Sequence, residues 1–269
     1  MYDRISVYVV AHQDDWQLFM DPSISADIVD SRCKTVIIYT TAGDAGYSKK
    51  YWIARELGAV DSVLFRISNG LSAGITSRNI TVNNKSIYQL NIGHCSMYFL
   101  RLPDGGMYGN GFPKYDYQSI SKIRLLEIGE IRTVDLKNVF KSFKEISCLI
   151  NEVITSEHKD NKIEHAGNTM LNFPEYDNSI SPNDHNDHLN TSLLIKDMEI
   201  YKLAKKRAFV HYHIQHKAVE LKGTDLFWKV GMFSVYHQTV LNKHGHSTIS
   251  ETPEYSIWCR KNVLYREIS

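Results

Sequence analysis

The segment ISVYVVAHQDD, residues 5–15, joins an apolar, β-branched run directly to a polar turn. The run Ile5–Val10 has the composition of a β-strand, and the residues that follow the turn, Trp16–Met20, are helix-like. In open α/β sheets, ligands bind at the carboxyl ends of the strands. The segment therefore predicts an α/β fold with a binding site close to His12.

The next elements predict a doubly wound sheet. Residues 34–41 (KTVIIYTT) form a nearly continuous apolar run, which is typical of a central parallel strand covered on both faces. Residues 48–60 have helical spacing, while 63–66 and 95–100 resemble further strands. This order predicts right-handed crossovers and a three-layer, Rossmann-like α/β/α sandwich with a mainly parallel sheet. The interval 67–92 alternates as a β-hairpin does, and we interpret it as an insertion near the sheet edge.

The second half of the chain predicts core-facing helices. Apolar residues recur at helical spacing over residues 134–154. A further helix is expected over about residues 184–207, with Asp184 as its N-cap. The tail, residues 255–265, is β-prone. No repeat or linker interrupts the chain, so we predict a single domain over residues 1–269.

The composition favours small-molecule chemistry. The chain has 31 Lys and Arg against 30 Asp and Glu, a net charge of +1, and no block of like charges. It therefore lacks the basic surface that nucleic acid or anionic lipid would require. Its 4 cysteines lie far apart, as expected for free thiols in a reducing compartment. With no signal-like N-terminus and no apolar segment approaching the ~18 residues of a membrane span, we expect a cytoplasmic protein, whose oligomeric state the sequence leaves open.

Histidines and carboxylates occur at two places with spacings that suit a metal centre. His12 and Asp15 lie three residues apart across the first turn, and His185 and His188 lie three apart at a helix start. Two histidines, one carboxylate and an open water position form a ligand set of catalytic zinc. A free carboxylate nearby can take a proton from that water. Each motif alone also suits a helix cap or solvated histidines, but their combination favours a metal-dependent hydrolase.

Four motifs follow one another in the order found in one enzyme family. An Ala/Pro-His-x-Asp-Asp segment is matched by Ala11–Asp15, and a His-x-Asp-His motif by His185–His188. A Thr-x-Gly-Asp/Glu-x-Gly turn resembles Thr41–Gly46, and a Leu-x-x-Asp-Gly loop resembles Leu100–Gly105. In these motifs, over roughly residues 5–240, the chain resembles the LmbE/PIG-L-like zinc-dependent N-acetylglucosaminyl deacetylases.

The resemblance implies a metal centre and a set of catalytic roles. It implies that His12, Asp15 and His188 bind Zn²⁺. It implies that Asp14 is the general base and later the general acid, and that His185 helps to stabilise the tetrahedral oxyanion. The implied reaction is removal of the N-acetyl group from an N-acetylglucosamine-type sugar conjugate, by attack of a water bound to zinc.

The resemblance also implies which residues meet the substrate. Asp104 and Arg55 would contact sugar hydroxyls. Asp44, in the Thr41–Gly46 turn, is a further candidate for substrate contact. Gln13 and Trp16 depart from the family's usual Pro and Glu. Neither replacement removes a ligand or the base, so they bear on substrate range and not on the chemistry.

Several alternatives stay open on the sequence alone. The chain could be a zinc-dependent amidase for a different N-acyl conjugate, or a non-catalytic sugar-binding module of the same fold. Loop 108–117, rich in Tyr and Gly, is equally consistent with an aromatic platform under a sugar and with loop packing. The six histidines within residues 211–246 are interpreted as core or surface residues in preference to a second metal site.

Overall fold

The computed structural model describes residues 2–67, 74–163, 166–245, 249 and 252–268. These residues form an eight-stranded, mostly parallel sheet with helices on both faces, which confirms the predicted α/β fold. The strands of this sheet are β1 Arg4–Val10, β2 Cys33–Thr41, β3 Ile75–Val82, β4 Lys85–Ile92, β5 Cys95–Leu102, β8 Thr169–Pro174, β9 Lys205–Phe209 and β10 Tyr265–Ile268; the short strands β6 Ile131–Arg132 and β7 Val139–Phe140 pair separately. The helices are α1 Ser23–Val29, α2 Lys49–Ile67, α3 Ile120–Arg124, α4 Phe143–Asp160, α5 Asn186–Lys196, α6 Gly223–His244 and α7 Glu254–Trp258.

Strand β1 lies at the centre of the sheet, whose order is β10-β9-β8-β1-β2-β5-β4-β3. It pairs in parallel with β2 on one side and β8 on the other. Alternate residues of a strand face opposite layers. Accordingly, Val7 and Val9 pack in the layer of α3, α4 and α5, whereas Tyr8 and Val10 pack in the layer of α1, α2 and α6. Burial on both faces explains the continuous apolar run of β1.

The hairpin expected near residues 67–92 is present as β3 and β4, and β3 forms one edge of the sheet. Residues 68–73 of that interval lie outside the described residues. The strand predicted at residues 63–66 is wrong, because α2 continues through them to Ile67. Val63 is buried against the sheet, while Phe65 contacts Trp228 of α6. A helix covered on two sides is apolar over consecutive residues, which gives it the appearance of a strand.

Two helix boundaries and the C-terminal tail in the second half also differ from prediction. Helix α4 begins at Phe143 and not near residue 134, since the Ser142 hydroxyl caps it by accepting from the Glu145 amide at 3.1 Å. Helix α5 ends at Lys196, well before residue 207. The tail contains α7 before β10, because packing of the buried Trp258 against Tyr212, with ring centroids 4.7 Å apart, outweighs its β-prone composition.

Within the described part of the chain, no helix combines the length and the apolar character that crossing a bilayer requires.

Candidate metal and substrate site

The first site segment follows β1 directly. The backbone amide of His12 donates to Asp15 Oδ2 at 2.7 Å, which fixes this carboxylate beneath the turn. The chain then enters a π-helical turn, Trp16–Met20, whose side chains are all buried. His12, Asp14 and Asp15 are themselves buried, so the turn presents its polar groups to a site enclosed by protein.

The second site segment lies at the start of α5, next to β1. His188 Nε2 lies 3.1 Å from Asp15 Oδ1, and His188 Nδ1 lies 2.7 Å from Asp184 Oδ1. The prediction that Asp184 is the N-cap of this helix is wrong. The N-cap is His185, whose Nδ1 accepts the Asp187 amide at 3.1 Å, and this leaves the Asp184 carboxylate to orient His188.

His12, Asp15 and His188, which the resemblance implies as metal ligands, lie close together. Each offers one donor atom, and the three atoms lie within 4.8 Å of one another. His12 Nδ1 lies 3.6 Å from Asp15 Oδ1. Metal-binding histidines nearly always direct their second ring nitrogen at a carboxylate or carbonyl. His188 does so toward Asp184, and His12 Nε2 lies 3.4 Å from Asp187 Oδ2. The donor set therefore fits zinc, including its outer shell.

Electrostatics couple these groups strongly. Burial alone would lower the pKa of His188, but the carboxylates of Asp15 and Asp184 raise it to about 9. Asp15, despite its burial, has a pKa well below its usual value because His188 and His12 stabilise its charge. In the same way, Asp15 outweighs burial and raises the pKa of His12 well above its usual value. Any cation that takes these donor atoms must displace the protons from both rings.

Asp14 faces away from Asp15 and contacts different partners. Its Oδ1 accepts from Arg55, and its Oδ2 accepts the Tyr255 hydroxyl at 3.1 Å. Arg55 is buried and also donates to the Gly43 carbonyl at 2.7 Å and to the Tyr236 hydroxyl at 2.8 Å. All three guanidinium nitrogens thus contact protein atoms, so the structure places Arg55 beside the expected base. Its contact with sugar hydroxyls stays a prediction.

His185 is held as a neutral hydrogen-bond donor. Since its Nδ1 accepts the Asp187 amide, its hydrogen is on Nε2. That nitrogen lies 4.0 Å from Asp104 Oδ1. Burial and the neighbouring His12 lower the pKa of His185 to about 4. An N–H donor fixed in this way can stabilise developing negative charge, as an oxyanion contact must.

Asp104 and Asp44 occupy different places. Asp104 lines the cleft, and its pKa is lowered despite burial because His12 and His185 lie close by. Asp44 is fully buried behind it and accepts the Asp104 amide at 2.9 Å and the Gly46 amide at 3.0 Å. Burial, with a contribution from Asp104, raises the pKa of Asp44 to about 7. Its side chain is therefore bound to the loop, and substrate contact by Asp44 stays a prediction.

Several of these groups border a cleft of about 340 Å³ at the carboxyl end of β1. Its lining is His12, Asp14, Ala45, Tyr47, Tyr51, Arg55, Asp104, Phe112, His185, Tyr212, Thr252 and Tyr255. Of the aromatic residues in loop 108–117, only Phe112 is in this lining, while Tyr108 is 80% exposed. Gln13 and Trp16 do not line the cleft. Gln13 donates to the Thr41 carbonyl at 3.1 Å, and Trp16 lies in the core, where it donates to the Tyr39 hydroxyl at 2.9 Å.

Several residues near the site were not identified as site residues from the sequence, and three of them contact its central groups or line the cleft. Tyr255 contacts Asp14, and Tyr212 lines the cleft. His211 is buried with its ring centroid 4.5 Å from that of His188 and stacks on Phe19. None of the three belongs to a motif that the sequence analysis assigned to the site, and only the fold brings them to it.

The histidines from His211 onward agree in part with their interpretation as ordinary core or surface residues. His211 joins Asp184 and His188 in a group of three potential ligands. His213 and His216 contact each other, with ring centroids 5.2 Å apart. Among the described residues, neither of these two belongs to a group of three or more potential metal ligands.

Comparison with known proteins links the chain to a fold. No protein-family model and no curated protein matches its sequence. Among solved structures, a deacetylase from the biosynthesis pathway of teicoplanin, crystallised as a complex with bog, is similar over 98% of both chains, with 10% identity and a TM-score of 0.50. The zinc-inhibited form of the teicoplanin deacetylase Orf2 matches over 88% of this chain and 84% of its own, with 10% identity and a TM-score of 0.47. GalB, a 4-carboxy-2-hydroxymuconate hydratase from Pseudomonas putida KT2440, matches over 99% and 96%, with 10% identity and a TM-score of 0.43. The chain thus shares the α/β/α fold of the first of these deacetylases.

Proposed function

We propose that this protein is a zinc-dependent N-deacetylase of the LmbE/PIG-L type, a single domain that removes an acetyl group from an N-acetylglucosamine-type sugar conjugate. One observation carries the proposal. A buried His12–Asp15–His188 donor set lies beside a second carboxylate, Asp14, that is not part of it. Metal-assisted hydrolysis requires both parts, the metal ligands and the free base. The fold shared with a solved deacetylase supports the same class of reaction.

Each part of the reaction falls to a separate group. When bound, a zinc ion supplies Lewis acidity, which lowers the pKa of a water toward about 7 and polarises the substrate carbonyl. Asp14 takes a proton from the attacking water and returns it to the departing amine. His185 donates its Nε2 hydrogen toward the oxygen that becomes negative. Asp104, which also lines the cleft, accepts hydrogen bonds from the sugar hydroxyls.

The two alternatives differ from this proposal in measurable ways. A zinc amidase for another N-acyl conjugate would use the same groups and differ only in the acyl or amine product. A sugar-binding module would have no use for a free base, and a buried Asp14 oriented by Arg55 and Tyr255 therefore favours catalysis.

The experiment is an assay of acetate release from N-acetylglucosamine conjugates by the zinc-loaded protein, before and after treatment with a chelator. We expect release that stops after chelation and returns when zinc is added. Release that continues after the metal has been removed would contradict the proposed chemistry. A panel of other N-acyl groups, with detection of each acid, identifies an amidase of different range.

A further inference from the structure

Several backbone amides in the two loops that border the cleft are bound by groups of the protein itself. In the first loop, the Ala45 amide donates to Asp104 Oδ2 at 3.3 Å, and the Gly46 amide donates to Asp44. Backbone amides of such loops are the usual binding groups for phosphate and other anions. Here carboxylates of the protein itself already occupy them.

The glycine-rich loop after β5 shows the same pattern. The Gly105 amide donates to Asp187 Oδ2 at 2.9 Å, and the Gly106 amide donates to Asp104 Oδ1 at 2.7 Å. The amides of Gly109 and Gly111 donate to carbonyls within the loop, at 3.1 and 2.8 Å. At the nearby start of α5, the Asn186 amide donates to the Met107 carbonyl. The amides of these four glycines are therefore engaged by groups of the protein itself.

The charges around the cleft also disfavour binding of an anion. Among the described residues that line it, the sole Lys or Arg is Arg55, whose guanidinium is bound by Asp14, Gly43 and Tyr236. The carboxylates are more numerous, and those in the cleft or in contact with the expected ligands are Asp14, Asp15, Asp104, Asp184 and Asp187. A divalent ion does not reverse this excess of negative charge.

Five of the remaining lining residues are aromatic. Tyr47, Tyr51, Phe112, Tyr212 and Tyr255 contribute rings from four separate segments of the chain. Such rings pack against the uncharged faces of a sugar or an apolar substituent. The cleft therefore combines surfaces for neutral groups with carboxylates that accept hydroxyls.

We infer that the site takes an N-acyl sugar that is uncharged around its scissile amide, and that it selects against substrates carrying a phosphate or carboxylate there. This inference rests on the proposed function and names its substrate class. An anionic substituent would meet these carboxylates, while Arg55 and the glycine amides described above are already bound by groups of the protein. We expect its turnover to be lower by about tenfold or more.

The test compares methyl N-acetylglucosaminide with N-acetylglucosamine 1-phosphate on the zinc-loaded protein. The readouts are kcat/KM for acetate release, and the dissociation constant of each compound by calorimetry. A kcat/KM at least about tenfold higher for the neutral glycoside supports the inference. Equal values, or a preference for the phosphate, would overturn it.

A pair of variants isolates the effect of charge. Thr252, in the cleft lining, is changed to Lys in one variant and to Met, which is of similar length but neutral, in the other. We expect Thr252→Lys to raise the ratio of kcat/KM for the phosphate over the neutral glycoside by about threefold to tenfold. Thr252→Met should leave this ratio close to that of the unchanged protein. An equal effect of both variants would contradict a role for charge.

Failure of the proposed function gives a different result. If neither compound releases acetate, the deacetylase proposal fails, and calorimetry alone decides the inference. Tighter binding of the neutral glycoside then supports it. Tighter binding of the phosphate, or no binding of either compound, overturns it.

Discussion

Asp14 and Asp15 are adjacent in sequence, yet their carboxylates have different surroundings. The Asp15 carboxylate contacts the His12 amide and the His188 ring, whereas the Asp14 carboxylate accepts hydrogen bonds from Arg55 and Tyr255. The difference arises because the chain turns sharply between β1 and the π-helical turn. Two identical side chains are thereby available for two tasks, one as a ligand and one as a base.

The substitution Asp14→Asn tests the role of the base. The amide keeps an oxygen for Arg55 but cannot take a proton, so we expect zinc content to be unchanged and turnover to fall by about 10²-fold or more. Elemental analysis and acetate release measure the two quantities. Asp135→Asn is a matched control. Asp135 forms an ion pair with Arg101, with 3.0 Å between the charged atoms, and it does not line the cleft. Near-normal turnover of Asp14→Asn would remove Asp14 from its assigned role.

The substitution Asp184→Asn tests the orientation of His188. Loss of the carboxylate at Nδ1 should weaken zinc binding by about 10–100-fold, the usual effect of removing such a partner. Zinc affinity is measured by competition with a chromophoric chelator. Asp197→Asn, at the exposed C-terminal end of the same helix, should leave the affinity unchanged.

His188→Ala should empty the site, and full zinc occupancy in that variant would exclude His188 as a ligand.

Among the secondary-structure elements, the central strands were the most predictable. The runs that became β1, β2 and β5 are apolar because both faces of the sheet are covered, and this leaves a clear sequence pattern. The site motifs at their ends could be located for the same reason. Two predictions failed because tertiary contacts determine the local conformation. The predicted N-cap Asp184 contacts His188 instead, and residues 63–66, predicted as a strand, pack against α6 as part of a helix.

The contribution of the C-terminal region had no sequence signal at all. Tyr255 reaches the cleft because α7 packs its Trp258 against Tyr212. Neither residue belongs to a motif, and the periodicity of a five-residue helix is too short to recognise. Such single residues become visible only when the packing of the helices is known.

Helices α2 and α6 position Arg55, and their close approach depends on Gly58. A Cβ at this position would lie 2.9 Å from the Tyr236 carbonyl oxygen and 2.7 Å from its ring. We therefore expect Gly58→Ala to lower the free energy of unfolding by about 1–3 kcal/mol, although Ala is the better helix former. It should also lower activity, since Tyr236 holds Arg55.

Urea denaturation measures the effect of Gly58→Ala. The neighbouring Leu57 is 39% exposed on the outer side of α2, so Leu57→Ala should change stability by about 0.5 kcal/mol or less. A Gly58→Ala variant more stable than the unchanged protein would show that the two helices can separate without strain.

The stability of the whole molecule should depend on pH through Asp21. This side chain is fully buried, and burial raises its pKa to about 6, although Lys229 and Arg66 oppose the shift. The folded protein therefore holds a proton that the unfolded chain releases near pH 4. The stabilisation is present at low pH and is lost as the pH rises through about 6.

The substitution Asp21→Asn should remove this dependence. Relative to the unchanged protein, its free energy of unfolding should rise by about 1–3 kcal/mol between pH 4 and pH 7. Denaturation curves across this range measure the difference. A difference that is constant with pH would show that Asp21 does not titrate within it.

The distance in sequence between the parts of the site also has a consequence for biosynthesis. Asp14 and its partner Tyr255 are separated by 241 positions. At ~5–20 residues per second, a ribosome needs on the order of ten to fifty seconds to make the intervening chain. Through most of that time His12 and Asp15 emerge without His188, the proposed third ligand. We therefore expect zinc loading to follow synthesis of α5, and the proposed base to acquire its Tyr255 partner only after residue 255 has been made.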